Sequence, residues 1–262
     1  MVVTLLTDFG LQDEYVGVVK GVILQVNPAA QMVDLCHQIP PGDIVRAGWF
    51  LAWSWSYFPL GTVHLVVVDP GVGFTRKILC LDHEGHRFLA PDNGVLSQLL
   101  TGVSRPSLYA VTNRRYALDQ VSKTFHGRDI FAPAAGHLSK GLAPHRLGHR
   151  VSTFRRLSSP LLRKRSNILE GRVIHIDRFG NAVTNLPASE MKKLSQERDA
   201  QVRIKGTPIP VRSSYSAVVQ GAPLSIVGSH DLLEVAVNQG SAQRTLGIQI
   251  GDSVTLVLRK KR

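Results

Sequence analysis

Asp8, Asp69, Arg76 and His126 are the side chains whose types and neighbours best suit chemistry on a small molecule. A carboxylate can take a proton, a guanidinium can hold a carboxylate or another anion, and an imidazole can orient or move a proton near neutral pH. Asp8 ends the apolar run Leu5-Leu6-Thr7, and Asp69 ends Val67-Val68. In open α/β sheets ligands gather outside the carboxyl ends of the strands, so both aspartates are site candidates. Either could equally cap a turn or a helix. Asp69 runs into Pro70-Gly71-Val72-Gly73, a segment that lets the backbone turn sharply and approach a ligand, and Arg76 opens the next strand. Carboxylate and guanidinium can therefore meet across a tight turn, although such a pair could also be a plain turn-stabilising ion pair. His126 lies in Thr124-Phe125-His126-Gly127-Arg128-Asp129, ahead of a helix-like stretch and beside a glycine that keeps the backbone thin. A lone histidine is more often structural.

The elements that must carry these residues alternate between strand and helix up to about residue 140, the pattern of a layered α/β domain. Val2 to Thr7 reads as a strand, Asp13 to Val26 as a helix stopped by Asn27-Pro28, and Gln31 to Cys36 as a second strand. Asp43 suits the N-cap of a helix that carries Ala47, Phe50, Leu51 and Trp53. His64 to Val68 is almost wholly apolar, as expected of a central strand covered on both faces. His83-Glu84-Gly85-His86 reads as a polar hairpin turn. From Gly141 to Asn167 the texture becomes basic and aperiodic, which marks a boundary. Beyond it short β runs at 171–177, 201–204, 224–227, 232–237 and 253–258 predict a small barrel or sandwich. We therefore expect an α/β catalytic domain over 1–145 with a central mostly parallel sheet, a basic linker over 146–169, and a smaller all-β barrel domain over 170–262.

Composition narrows the function further. The chain has 262 residues, 44% of them hydrophobic and 19% charged, enough to bury a substantial core. Its longest apolar run, Thr62 to Val68, is strand-sized, so no membrane partner is expected. The amino terminus lacks a basic, apolar and cleavable leader, and Cys36 and Cys80 are the only cysteines, so the expectation is a cytoplasmic protein with reduced thiols and no metal. Arg76 stands where the third glycine of GxGxxG would fall, and GxxxxGK[ST], HExxH and GxSxG are absent. The formal charge of +12 is concentrated where no acid occurs between Asp129 and Glu170, with a second cluster at Arg259 to Arg262. With Phe154 as its single interleaved aromatic, this reads as a solvated linker and tail rather than a nucleic-acid groove.

Taken together, the segments at 6–10, 34–41, 67–73, 90–94, 124–129, 176–181 and 233–242 closely resemble the S-adenosyl-L-methionine (SAM) hydroxide adenosyltransferases, hydrolases related to the fluorinase and chlorinase. The resemblance runs in order from residue 2 to about 258. It implies the two-domain fold, a homotrimer with SAM held between one subunit's first domain and its neighbour's second, no cofactor, and the reaction SAM plus water to adenosine plus L-methionine. By motif position the residues that handle the water fall on Asp69, Arg76 and His126. The halide-using relatives carry a Tyr-Pro-Ala-Thr type segment and a Tyr-Ser pair at these places, so the chain resembles the hydrolases. The resemblance also suggests Asp8 for the ribose hydroxyls, Asn181 for the adenine edge, Asp177 for the methionine ammonium, and Ser229, Glu234 and Val237 for further adenosine and amino-acid contacts. His230 departs from the pattern, which bears on the methionine-carboxylate contact. The competing readings are a halide-dependent enzyme making a 5′-halo-5′-deoxyadenosine and a non-catalytic binder of adenosine or RNA.

Overall fold

The computed structural model describes residues 1–158, 162–165, 168–195 and 198–260. The chain forms two compact units, Met1–Leu157 and Ser158–Arg262. Part of the basic stretch (159–161 and 166–167) and the last two residues of the basic tail, Lys261 and Arg262, lie outside the described residues.

In the first unit the chain runs β1 (Val2–Thr7), α1 (Tyr15–Val26), β2 (Gln31–Cys36), α2 (Ile44–Ser54), β3 (Val63–Val67), β4 (Ile78–His83), β5 (His86–Pro91), β6 (Ser107–Ala110), α3 (Ala132–Ser139) and β7 (Arg150–Val151). The strands make one sheet in the order β2-β1-β3-β5-β4-β6-β7. The neighbours β2, β1, β3 and β5 run parallel, and β4, β6 and β7 continue the sheet antiparallel. The pleat sends successive side chains to opposite faces. Val3, Leu5, Leu65 and Val67 thus pack with Val19 and Ile23 of α1 and Ala135 of α3, while Leu6, Val66 and Val68 pack with Ala47 and Leu51 of α2. Both faces are covered, and this is why β3 is buried throughout and apolar but for His64. The Asp43 carboxylate accepts from the Arg46 N–H and caps α2, as its position predicts. Glu84 and Gly85, both with positive φ, form the tight turn between β4 and β5. His86 is more than a turn residue: it is buried, and its Nδ1 lies 3.2 Å from Nε2 of the buried His64, whose Nδ1 meets the Thr4 hydroxyl.

The second unit holds β8 (Arg163–Arg165), β9 (Ile168–Ile176), β10 (Ala182–Pro187), α4 (Ala188–Ser195), β11 (Arg198–Ile204), β12 (Thr207–Pro210), β13 (Pro223–Val227), β14 (Leu232–Val237), α5 (Ala242–Leu246) and β15 (Ser253–Lys260). The order β12-β11-β15-β9-β10-β14-β13 is antiparallel throughout, with β8 added on β9. A bridge from Val211 to Ser225 brings the two ends of this path together, so the sheet is a nearly closed barrel. Leu233, Val235 and Val237 of β14 point into its core with Leu169, Val202 and Leu256, which leaves Glu234 on the opposite face. The helices α4 and α5 differ from the all-β expectation. Their segments are too short and too polar for helical periodicity to emerge from the sequence.

Candidate active site

Asp69 and Arg76 stand at the two ends of the turn between β3 and β4. Arg76 Nε donates to both carboxylate oxygens of Asp69, at 3.0 and 2.9 Å, and Arg76 Nη2 donates to Oδ2 as well. The same Nη2 donates to His126 Nδ1 at 2.9 Å, so one guanidinium joins carboxylate and imidazole. Both partners of the ion pair are shielded, with side-chain exposures of 11% for Arg76 and 4% for Asp69. Two backbone features place the group. The Asn93 side chain donates to the Val68 carbonyl at 2.8 Å, anchoring the residue before Asp69. Gly73 has a φ of +80°, and a Cβ there would stand 2.4 Å from the Lys123 carbonyl, so the turn lies directly against the segment that leads to His126.

Asp69 and His126 line a pocket of about 340 Å³ together with Asp8, Phe9 and Pro41. Asp8 follows β1 and accepts from the Gly42 N–H at 2.8 Å. Burial pushes its carboxyl above the usual range, and the negative charge of Asp69 adds to that, while the Gly42 N–H opposes it. The pocket wall is aromatic: Phe9 and Phe125 meet edge to face with centroids 5.8 Å apart. The absence of a side chain at Gly127 is what admits them, since a Cβ there would lie 3.3 to 3.4 Å from Phe125, Phe9 and Val67. Burial and the neighbouring Arg76 hold His126 below the usual imidazole value, against smaller pulls from Asp69 and Asp129. A guanidinium can only donate, so His126 Nδ1 presents its lone pair and the neutral ring carries its proton on Nε2.

The second unit builds a separate pocket of about 460 Å³ lined by Phe179, Asn181, Tyr215, Val237 and Arg244. Asp177 accepts from Asn181 twice, from the backbone N–H at 2.8 Å and from the side-chain amide at 3.0 Å. Glu234 accepts from the Tyr215 hydroxyl at 2.7 Å. Burial raises the Glu234 carboxyl, as does the nearby Asp177, and the Tyr215 hydroxyl is pushed up to about 12, first by burial and then by Glu234.

The sequence profile of the SAM hydroxide adenosyltransferase N-terminal domain matches residues 3–148, and that of the C-terminal domain matches residues 171–255. The chain belongs to the SAM hydroxide adenosyltransferase family. It is 41% identical over 261 residues to a Thermus thermophilus protein named (R)-S-adenosyl-L-methionine hydrolase, covering 96% of this chain and 98% of that one. A protein named fluorinase from Nocardia brasiliensis is more distant, 25% identical with 97% and 95% covered. Among solved structures, an uncharacterized conserved protein from Thermotoga maritima superposes with a TM-score of 0.92 at 36% identity, covering 98% of this chain and all of that one (100%).

The first unit brings Asp69, Arg76, His126 and Asp8 to one place, although they come from three separate stretches of the chain. In the second unit Asn181 and Val237 line one pocket, and Asp177 and Glu234 adjoin it through Asn181 and Tyr215. Ser229 lies on the exposed turn between β13 and β14 and does not line that pocket, although the preceding Gly228 rests against the Glu234 carboxylate. Sequence reasoning did not single out Gly42, Asn93 or Tyr215. Gly42 acts through its backbone N–H, which donates to the Asp8 carboxylate and which nearly any residue type could supply, and Asn93, distant in the chain from the reactive groups, acts through its side chain on a backbone carbonyl and a backbone N–H. Tyr215 sits in the aperiodic run Ser213-Ser214-Tyr215-Ser216 and reaches its partner only in the fold.

Proposed function

We propose that this protein cleaves S-adenosyl-L-methionine with water to give adenosine and L-methionine, with Asp69, Arg76 and His126 acting on the water and Asp8 holding the ribose hydroxyls. The observation that carries the reading is the Arg76 guanidinium bound at once to Asp69 and His126 in the pocket that Asp8 lines. The sulfonium of SAM is already a good leaving group, so the difficulty lies in the weakness of water as a nucleophile. A water in line behind C5′ forms the new C–O bond as the C5′–S bond breaks, and that bond's electron pair leaves with sulfur as the neutral thioether of methionine. The water's proton passes to Asp69 Oδ1, which accepts from Arg76 Nε and keeps a second lone pair free, whereas Oδ2 accepts from both Nε and Nη2. His126 cannot take a proton at Nδ1 without breaking its bond from Arg76, so it serves as strut and Nε2–H donor. A halide nucleophile would enter beside the Asp69 carboxylate and be repelled by it.

In the second unit, Asn181 has the paired donor and acceptor an adenine edge needs, and the Asp177 and Glu234 carboxylates suit an ammonium group; Ser229 and Val237 complete the assignment. The active form in this reading is a homotrimer that joins one subunit's first unit to its neighbour's second. The sulfonium epimer expected is the (R) form named for the relatives. Free thiols at Cys36 and Cys80 and the lack of a membrane-length apolar helix among the described residues support a cytoplasmic setting. Incubation of purified protein with each separated sulfonium epimer should give adenosine and methionine in equal amounts from the (R) form, and no 5′-chloro product in high chloride. Absence of adenosine from both epimers at high enzyme concentration overturns the reading.

A further inference from the structure

The proposed mechanism leaves unused a carboxylate that is completely enclosed. Asp129 is 0% exposed and sits in the π-helical turn Gly127–Phe131 that leads into α3. Burial alone would raise its carboxyl, but hydrogen bonds from Arg128 and Ser122 bring it below the usual range, so it is held as an anion. Arg128 Nε donates to Oδ1 at 2.5 Å. Ser122 donates to Oδ2 twice, from its backbone N–H at 2.8 Å and its hydroxyl at 2.7 Å. That hydroxyl in turn accepts from the Phe125 N–H at 3.0 Å, and the Phe125 carbonyl accepts from the backbone N–H groups of Arg128 and Asp129. The loop from Ser122 to Phe125 is thus folded back on the π turn, and His126 is the next residue. A buried charge is expensive to keep, and a helix terminus can be capped with a neutral hydroxyl or amide. The carboxylate accepts two donors from one serine on one oxygen and a guanidinium on the other, an arrangement a single neutral cap cannot reproduce.

We propose that Asp129 is a positioning residue for the reaction: through Ser122 it fixes the loop that holds the His126 ring against Arg76, and so fixes Asp69. Because this rests on the hydrolase reading, its test needs one measure that does not depend on turnover.

The variants are Asp129→Asn, Ser122→Ala, His126→Ala and Asp129→Asn combined with His126→Ala, compared in the full-length protein by kcat, KM and the ¹⁵N resonances of the histidine rings. Asp129→Asn should lower kcat by roughly 10- to 100-fold with KM changed by less than about 3-fold, as expected for loss of an interaction that orients the transition state. Ser122→Ala, which keeps the buried carboxylate and its Arg128 bond, should lower kcat in the same direction by a smaller factor, and it carries the test if Asp129→Asn does not fold. In the His126→Ala background, Asp129→Asn should cost nothing further, because its effect runs through the imidazole. The same factor lost in both backgrounds assigns Asp129 a purely structural role and overturns the proposal, as does wild-type kcat in Asp129→Asn. If the wild-type protein turns over no SAM, the hydrolase reading fails, and the ring resonances decide the positioning claim alone: a shifted His126 signal in Asp129→Asn or Ser122→Ala supports it, and an unchanged signal overturns it.

Discussion

In the proposed mechanism a single guanidinium divides the labour between a carboxylate and an imidazole. Arg76 has donors only, so the two groups it touches must both present lone pairs to it. That leaves Asp69 free to gain a proton on an oxygen while still bound, and it commits His126 to the tautomer with its proton on Nε2. Substituting Asp69 by asparagine keeps the shape and removes the basic oxygen. Asp69→Asn should therefore lower kcat by about 10²- to 10⁴-fold, the range typical for loss of a general base, with SAM affinity nearly unchanged. Single-turnover rates beside binding measured by calorimetry separate the two quantities. A kcat within a few-fold of wild type would remove the proton-accepting role from Asp69.

The constraint passes from side chains to elements at the turn between β3 and β4. The turn that carries Asp69 and Arg76 lies against Lys123, three residues before His126, and at Gly73 that approach leaves no room for a Cβ and uses a φ that L residues avoid. Gly141 has a similarly positive φ, +92°, but open space where a Cβ would go. Gly73→Ala should cost upwards of about 1 to 3 kcal/mol of stability and most of the turnover, because the turn must lift off Lys123. Gly141→Ala should cost about 1 kcal/mol and leave kcat intact. Thermal unfolding and steady-state rates on both variants check the contrast, and an active Gly73→Ala enzyme would mean that the close approach is dispensable. At this scale the sequence was legible where one local rule ruled: Asp43 caps α2, Glu84-Gly85 turns a hairpin, and an apolar run ending in Asp-Pro-Gly delivers Asp69 to a strand end. It was illegible where a role depends on residues distant in the chain. Tyr215 meets Glu234 across 19 residues of chain, buried His86 meets His64, and Asn93 holds a backbone carbonyl, which any residue type could supply.

Over the whole molecule, the polar groups fall into two sets, each assembled within its own unit. In the proposed reaction the first set, Asp8, Asp69, Arg76 and His126, serves the reacting carbon and the ribose, and the second supplies an amide and carboxylates for a base edge and an ammonium. SAM carries both kinds of group on one small skeleton, so neither set alone satisfies it. In the proposed trimer each site takes its first set from one subunit and its second set from the neighbour, and this can be read out by complementation. Asp69→Ala damages only the first set, and Asn181→Ala only the second. Each variant alone should be nearly inactive, and a one-to-one co-expressed mixture should regain about a quarter of wild-type activity, because random assembly pairs the two undamaged sets at about one site in four. If instead each site were built within one chain, every site in the mixture would keep one damaged set and no activity would return. The recovered fraction therefore distinguishes the two architectures without reference to the size of the assembly.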